Sequence, residues 1–201
     1  MLSTRIVLHE LGPEDFGIYL ASVSIALLFG ILIGAATTLS QRSLAMVELK
    51  SGDLGAAMQV CFWQHFFLGL IILIVGGVLG IFFFYAAVVV PERRADAAFA
   101  SYMASILAMS LGAVAASFQA FSWAREDFSI SMAGNILNAT LALGVALVLS
   151  STEHDKLVVY SVGTACVASF AQVLACLIVL YKYEASRIRM RLQWRSLPLA
   201  Q

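Results

Sequence analysis

Residues 62–84 read FWQHFFLGLIILIVGGVLGIFFF, with no Asp, Glu, Lys or Arg in the run. About 20 apolar residues in a helix cross the roughly 30 Å hydrocarbon core of a bilayer. Hydrocarbon offers no partner to peptide N–H and C=O groups, so a run like this satisfies them internally as a helix. Strands of a membrane barrel are about half as long and alternate in polarity. This stretch therefore predicts a transmembrane helix.

The same reading extends outward. Charged residues punctuate five long uncharged stretches: 16–41, 54–91, 97–124, 128–152 and 157–181. Helices are expected near 16–40, 58–88, 99–123, 128–150 and 157–181. The expected fold class is an all-α integral membrane protein, a bundle of about five transmembrane helices. Residues 1–183 form the bundle, and 184–201 form a basic tail. The four residues Ala124-Arg125-Glu126-Asp127 leave little room for a loop, so the third and fourth helices are expected to be antiparallel neighbours.

Composition agrees. Of the 201 residues, 61% are hydrophobic and 12% charged, and the mean hydropathy is +0.92. Soluble domains are about 45–50% apolar and about 25% charged, and a soluble fold of this size has no place to hide the surplus. The formal net charge is zero, which argues against nucleic acid as a partner. Met1 to Asp15 carries Glu10, Glu14 and Asp15 ahead of its apolar run, unlike a secretory signal peptide.

Lys and Arg in the loops set orientation. One side holds Arg42, Lys50, Arg125, Lys182, Arg187, Arg189, Arg191 and Arg195; the other holds Arg5, Arg93, Arg94 and Lys156. The C-terminus is expected to be cytoplasmic, and the bias comes from the tail. In that tail Arg187, Arg191 and Arg195 recur at helical spacing among Ile188, Leu192 and Trp194. It reads as a surface helix on anionic headgroups or as a plain stop-transfer anchor.

The usual catalytic signatures are missing: no phosphate-cradling glycine loop, no H-E-x-x-H and no C-x-x-C pair. No enzyme activity, metal or cofactor is expected. Cys61, Cys166 and Cys176 lie in apolar runs and read as small membrane-embedded hydrophobes. His65 is expected to hydrogen-bond a neighbouring helix. Gly30-x-x-x-Gly34, Gly76-x-x-x-Gly80 and Gly112-x-x-x-Ala116 allow close helix approach, within one bundle or between copies.

Ser131, Asn135 and Asn138 share one face of the fourth helix, and Gln119 and Gln172 can join them. Amides facing lipid are costly, so this face points into the bundle or into a wet cavity. It serves either interhelical hydrogen bonds or a polar headgroup or sugar. No charged residue lies deep in the five runs, which argues against an ion pump or proton-coupled antiporter with its carrier residue here.

The loops bring a family into view. Leu11-Gly12-Pro13-Glu14-Asp15-Phe16-Gly17-Ile18-Tyr19 resembles the end of helix one and the following turn in bacterial polysaccharide (O-antigen type) flippases. These belong to the multidrug/oligosaccharidyl-lipid/polysaccharide exporter superfamily. Gln41-Arg42-Ser43-Leu44 through Lys50-Ser51-Gly52-Asp53 looks like the loop after the family's helix two. Val90-Pro91-Glu92-Arg93 with Ala97-Ala98 looks like the start of its helix four. Ala124-Arg125-Glu126 and Asp155-Lys156-Leu157-Val158-Val159-Tyr160 look like the turn before its helix five and the start of helix six.

The resemblance runs from about Ser3 to Tyr183 and covers a partial six-helix lobe. It implies a bundle that pairs with a second one, a C-terminal bundle or a second chain, around a central cavity. It further implies alternating access that moves an undecaprenyl-pyrophosphate-linked oligosaccharide across the bacterial inner membrane, in lipopolysaccharide and O-antigen biosynthesis. Arg42 and Arg125 are then expected at the cytoplasmic mouth, Arg93 at the outer mouth, and Gln119, Asn135 and Asn138 within. The alternatives are a drug/cation antiporter fragment of the same superfamily, a non-transporting membrane scaffold subunit and a membrane-embedded glycosyltransferase.

Overall fold

The computed structural model describes residues 2–50, 52–82 and 91–184. They form five helices: α1 (Leu2–Leu49), α2 (Leu54–Phe82), α3 (Ala95–Ala124), α4 (Ser129–Val148) and α5 (Lys156–Glu184). Short 3-10 turns, Glu92–Arg94 and Leu149–Ser151, lead into α3 and out of α4. Each of the five is long and apolar enough to cross a membrane. The chain is an all-α, multi-pass membrane bundle, as the uncharged runs predict. The expected end of the second helix (83–88) and the basic tail lie outside the described residues.

α1 is two helices. Gly12 has φ 77° and ψ 168°, a left-handed φ that side-chain-bearing residues rarely adopt, and Pro13 follows it. Glycine ends one helix and proline opens the next, each where its backbone suits. From residue 13 to 49 the second piece is about 55 Å long, more than a bilayer core. The sequence places its end near Ser40, yet it continues to Leu49. Arg42 marks where the hydrocarbon stops, but no Gly or Pro stops the helix before Gly52. The extra turns bury Leu44 against Met58 and Phe121. Asp53 then opens α2, its Oδ1 accepting from the N–H groups of Gly55 (3.0 Å) and Ala56 (3.1 Å), an N-cap.

α3 is the central helix. It packs against α1, α2 and α5, while α4 leans chiefly on α5. The expectation that α3 and α4 are antiparallel neighbours is met only near their connection. They meet at their shared turn, where Trp123 Nε1 donates to Ser131 Oγ (3.0 Å) and Ser122 Oγ to the Asp127 carbonyl (2.7 Å). A short loop forces adjacency at one end only, and α3's other faces are already taken.

The α2–α3 seam is the tightest. A Cβ built on Gly80 falls 2.1 Å from Tyr102 Cε1, one on Gly76 falls 2.9 Å from Ile106 Cδ1, and one on Gly69 falls 2.8 Å from the Ser110 carbonyl oxygen. Two hydrogen bonds fix the register: Tyr102 OH donates to the Gly76 carbonyl (2.8 Å) and Ser110 Oγ to that of Gly69 (2.9 Å). The Gly76–Gly80 pair is thus used within the bundle. Gly30 approaches Met109 of α3, while Gly34 meets nothing within 4 Å. His65, wholly buried, does not reach a neighbouring helix as expected: its Nδ1 lies 2.9 Å from the carbonyl of Cys61, one turn back, and its Nε2 has no partner among the described residues.

Apolar side chains stand out on every helix, for example Ile31 (71% exposed), Val78 (63%) and Ile136 (66%), as a lipid-facing surface requires. The described termini are locked by charge. At one end Arg94 reaches Asp15 (2.6 Å) and Asp155 (2.5 Å), Lys156 reaches Glu10 (2.7 Å) and Arg93 reaches Glu14 (3.4 Å). These pairs tie the Gly12 break to the starts of α3 and α5.

Gly80→Ala is expected to destabilise the bundle by about 1–3 kcal/mol, the usual cost of overpacking, because the Tyr102 ring has a hydrogen bond to lose if it moves. Gly77→Ala, where nothing lies within 4 Å, is the control. Thermal unfolding of both variants in one detergent checks this, and equal midpoints would refute the packing argument.

Candidate functional site

An open-sided cleft lies between α3, α4 and α5, with about 720 Å³ of empty space, part of it open to the surroundings. Small side chains make the room: Gly112, Ala115 and Ala116 on α3, Gly134 on α4, and Ala168, Ala171 and Ala175 on α5. From Ser122 to Gly112 the cleft follows α3 for about 15 Å, from the Arg125 end to mid-bilayer.

Four carboxamides line it: Gln119, Asn135, Asn138 and Gln172. Gln119 Nε2 makes a long contact with Ser131 Oγ (3.5 Å), a hydroxyl already bonded by Trp123. Gln172 packs against Gly112, where an added Cβ would fall 3.0 Å from its Nε2, and its buried Oε1 has no donor. Asn135 is exposed and Asn138 half-buried, and neither side chain has a hydrogen-bond partner among the described residues. No charged residue lines the cleft. The arrangement offers N–H donors and C=O acceptors without net charge, which suits hydroxyls and amides better than ions.

The structure thus gathers Asn135 and Asn138 of α4 with Gln119 of α3 and Gln172 of α5, the two residues the sequence offers as able to join them. It does not bring the three arginines there. Arg42 is exposed on α1, which contributes no residue to the cleft lining. Arg93 is held by Glu14 at the far end. Arg125 is closest in sequence, but its guanidinium lies 5.0 Å from the ring centres of both Phe121 and Tyr183, and its Nε is 3.3 Å from Glu48. It clamps α1 to α3 and α5 and does not rim the cleft. Cys176 lines the cleft as well. Its only sequence signal is the small-residue run Ala168, Ala171, Ala175 on its helix.

Asp127 closes the turn beside the cleft. Its carboxylate accepts from Lys182 Nζ (2.6 Å), Ser129 Oγ (2.6 Å) and Tyr183 OH (2.7 Å). The Lys182 ammonium, then the two hydroxyls, hold its carboxyl well below the usual carboxylate range. A depressed folded-state value stabilises the fold above the unfolded value, about 3.9, and the gain vanishes as pH falls through the folded value.

Among known protein families, curated proteins and solved structures, nothing matches this chain.

Asp127→Asn is expected to lower the melting midpoint by about 2–4 °C at pH 7, the shift that about 1 kcal/mol makes in a chain of this length. The gap to wild type stays constant down to about pH 4 and narrows only below it. Melting curves across pH check this; a gap that already closes near pH 6 would contradict it.

Proposed function

We propose that this chain is one transport lobe of a polysaccharide-flippase-type exporter in the bacterial inner membrane, passing the sugar headgroup of a lipid-linked oligosaccharide through the cleft. The convergence of Gln119, Asn135, Asn138 and Gln172 carries the reading. Sugar hydroxyls both donate and accept, and a row of neutral amides meets them without the desolvation cost of a buried charge. A cation antiporter wants a carboxylate where this cleft has only amides, so the uncharged lining weighs against that alternative.

Two further observations support the reading. The segments that resemble the flippases fall on the joints of the fold: the Gly12–Pro13 break, the turn at Arg125 and the Asp155 start of α5, where Asp155 Oδ1 accepts from Leu157 N–H (3.1 Å). The cleft also begins at the Arg125 end, which on this reading faces the cytoplasm, where such a substrate is loaded. The second wall of the passage comes from another bundle, since alternating access needs two bodies.

The test is complementation of a strain lacking its polysaccharide flippase. Wild type restores surface glycan, Asn138→Leu lowers it by at least about tenfold, the cost of losing roughly one hydrogen bond of about 1.4 kcal/mol, and Asn138→Gln retains part of it. Full activity in Asn135→Leu and Asn138→Leu at equal protein levels would remove the cleft from the mechanism. Failure of wild type together with no binding of a polyprenyl-pyrophosphate-linked glycan would remove the function.

A further inference from the structure

The buried apolar side chains fall into three separate groups, and one of them belongs to a single end of the bundle. There Val7 and Leu11 of α1 close over Ala146 and Leu149, in and just after α4, and over Leu157 and Tyr160 of α5. This small core lies at the end away from the Arg125 turn. It shares no buried residue with the core around Phe121 or with the one around Tyr102. A contact group complete in itself can open while the rest stays packed.

Two features decide how it opens. The first is a joint. Gly12 has a left-handed φ and open space around it, and Pro13 has no N–H to carry the helical ladder across. The segment Leu2–Leu11 therefore meets the long piece of α1 at a break. The second is charge. Arg94 holds both Asp15, just past the joint, and Asp155, at the start of α5. The joint and the start of α5 thus share one anchor. The pair that must part for the segment to move is Glu10 with Lys156 (2.7 Å). Both its residues flank the uncharged runs, and the lysine side chain is 35% exposed, so water and salt reach it.

The seam underneath gives the movement a consequence. α4 and α5 both line the cleft toward the Arg125 end. Toward the other end they close: a Cβ on Gly163 would fall 2.8 Å from Val145 Cγ1. Val7 and Leu11 cover the continuation of that closed seam. We propose that Leu2–Leu11 is a latch on the α4–α5 seam, turning about Gly12 as a unit, with the Glu10–Lys156 pair setting how often it opens. Release uncovers Leu149 and Leu157 and leaves Val145 on Gly163 as the closure between the cleft and that end.

The motion is measured without any cargo. In a background with Cys61, Cys166 and Cys176 replaced by Ala, the full chain in lipid nanodiscs carries Leu149→Cys, beneath the latch, or Ala120→Cys, equally buried at the other end. Each is treated with an uncharged, water-soluble maleimide. Lys156→Gln is expected to speed labelling of Leu149→Cys by about three- to fivefold. Glu10→Lys with Lys156→Glu returns it close to the starting rate. Raising salt from about 0.1 to 1 M, which shortens the screening length from about 10 to 3 Å, speeds the parent and leaves the Lys156→Gln chain unchanged. Labelling of Ala120→Cys stays constant throughout. Amide hydrogen exchange of the chain without the cysteine substitutions is an independent readout: residues 4–11 and 149–157 quicken together in Lys156→Gln, and α3 does not.

Equal acceleration at Ala120→Cys overturns the proposal, because the pair then holds the whole bundle. So does a Leu149→Cys rate indifferent to Lys156→Gln, or a charge swap that restores nothing. A latch that opens in a chain unable to bind a polyprenyl-pyrophosphate-linked glycan defeats the transport reading alone. A chain that binds the glycan while its latch never responds defeats this one alone.

Discussion

The ring of Tyr102 occupies the space that a side chain at position 80 would need, and its hydroxyl bonds the backbone one turn away at Gly76. Hydrophobic burial does not drive helices together inside a bilayer, because lipid tails are as apolar as Leu. Close contact and hydrogen bonds across the seam must do it. The glycines at 69, 76 and 80 provide both: they let α2 reach α3, and they bare the carbonyls that Ser110 and Tyr102 bond. With α2 seated, α3 becomes the post against which α1 and α5 also rest.

Everything outside that post is arranged by what remains. α1, α2 and α5 use up the faces of α3, so α4 has only α5 to lean on, although its turn ties it to α3 at Asp127. The cleft is the space this leaves, and Gly and Ala on three helices keep it from filling. The ends of the bundle hold by charge: Arg94 joins the starts of α1's long piece, α3 and α5, and Asp127 and Arg125 join the opposite ends. Such pairs sit where headgroups and water lower the cost of a charge, and they leave the hydrocarbon depth to neutral amides and hydroxyls.

His65 and the arginines show where reading residue by residue stops. A histidine in a membrane helix wants a partner, and the sequence cannot tell a neighbouring helix from its own carbonyl at i−4. Arg42, Arg93 and Arg125 all look alike as flanking cations. Only the packed structure distinguishes Arg125, clasped by two rings and Glu48, from Arg42, exposed on α1 with no ion-pair partner among the described residues. Likewise a charge signals the edge of hydrocarbon without ending a helix, and α1 runs on past Arg42 to Leu49.

Read alone, the sequence determined that lipid is the solvent, that five helices cross it, and that Asn135 and Asn138 share a face with Ser131. These follow from local rules: run length against bilayer thickness, and the 3.6-residue period. Which helix sits beside which, and therefore whether that amide face meets a neighbour or an opening, was decided by the tertiary structure alone. The reason is that packing partners compete. Gly80 and Tyr102 are 22 residues apart, and their fit claims a face of α3 that no local pattern could have reserved.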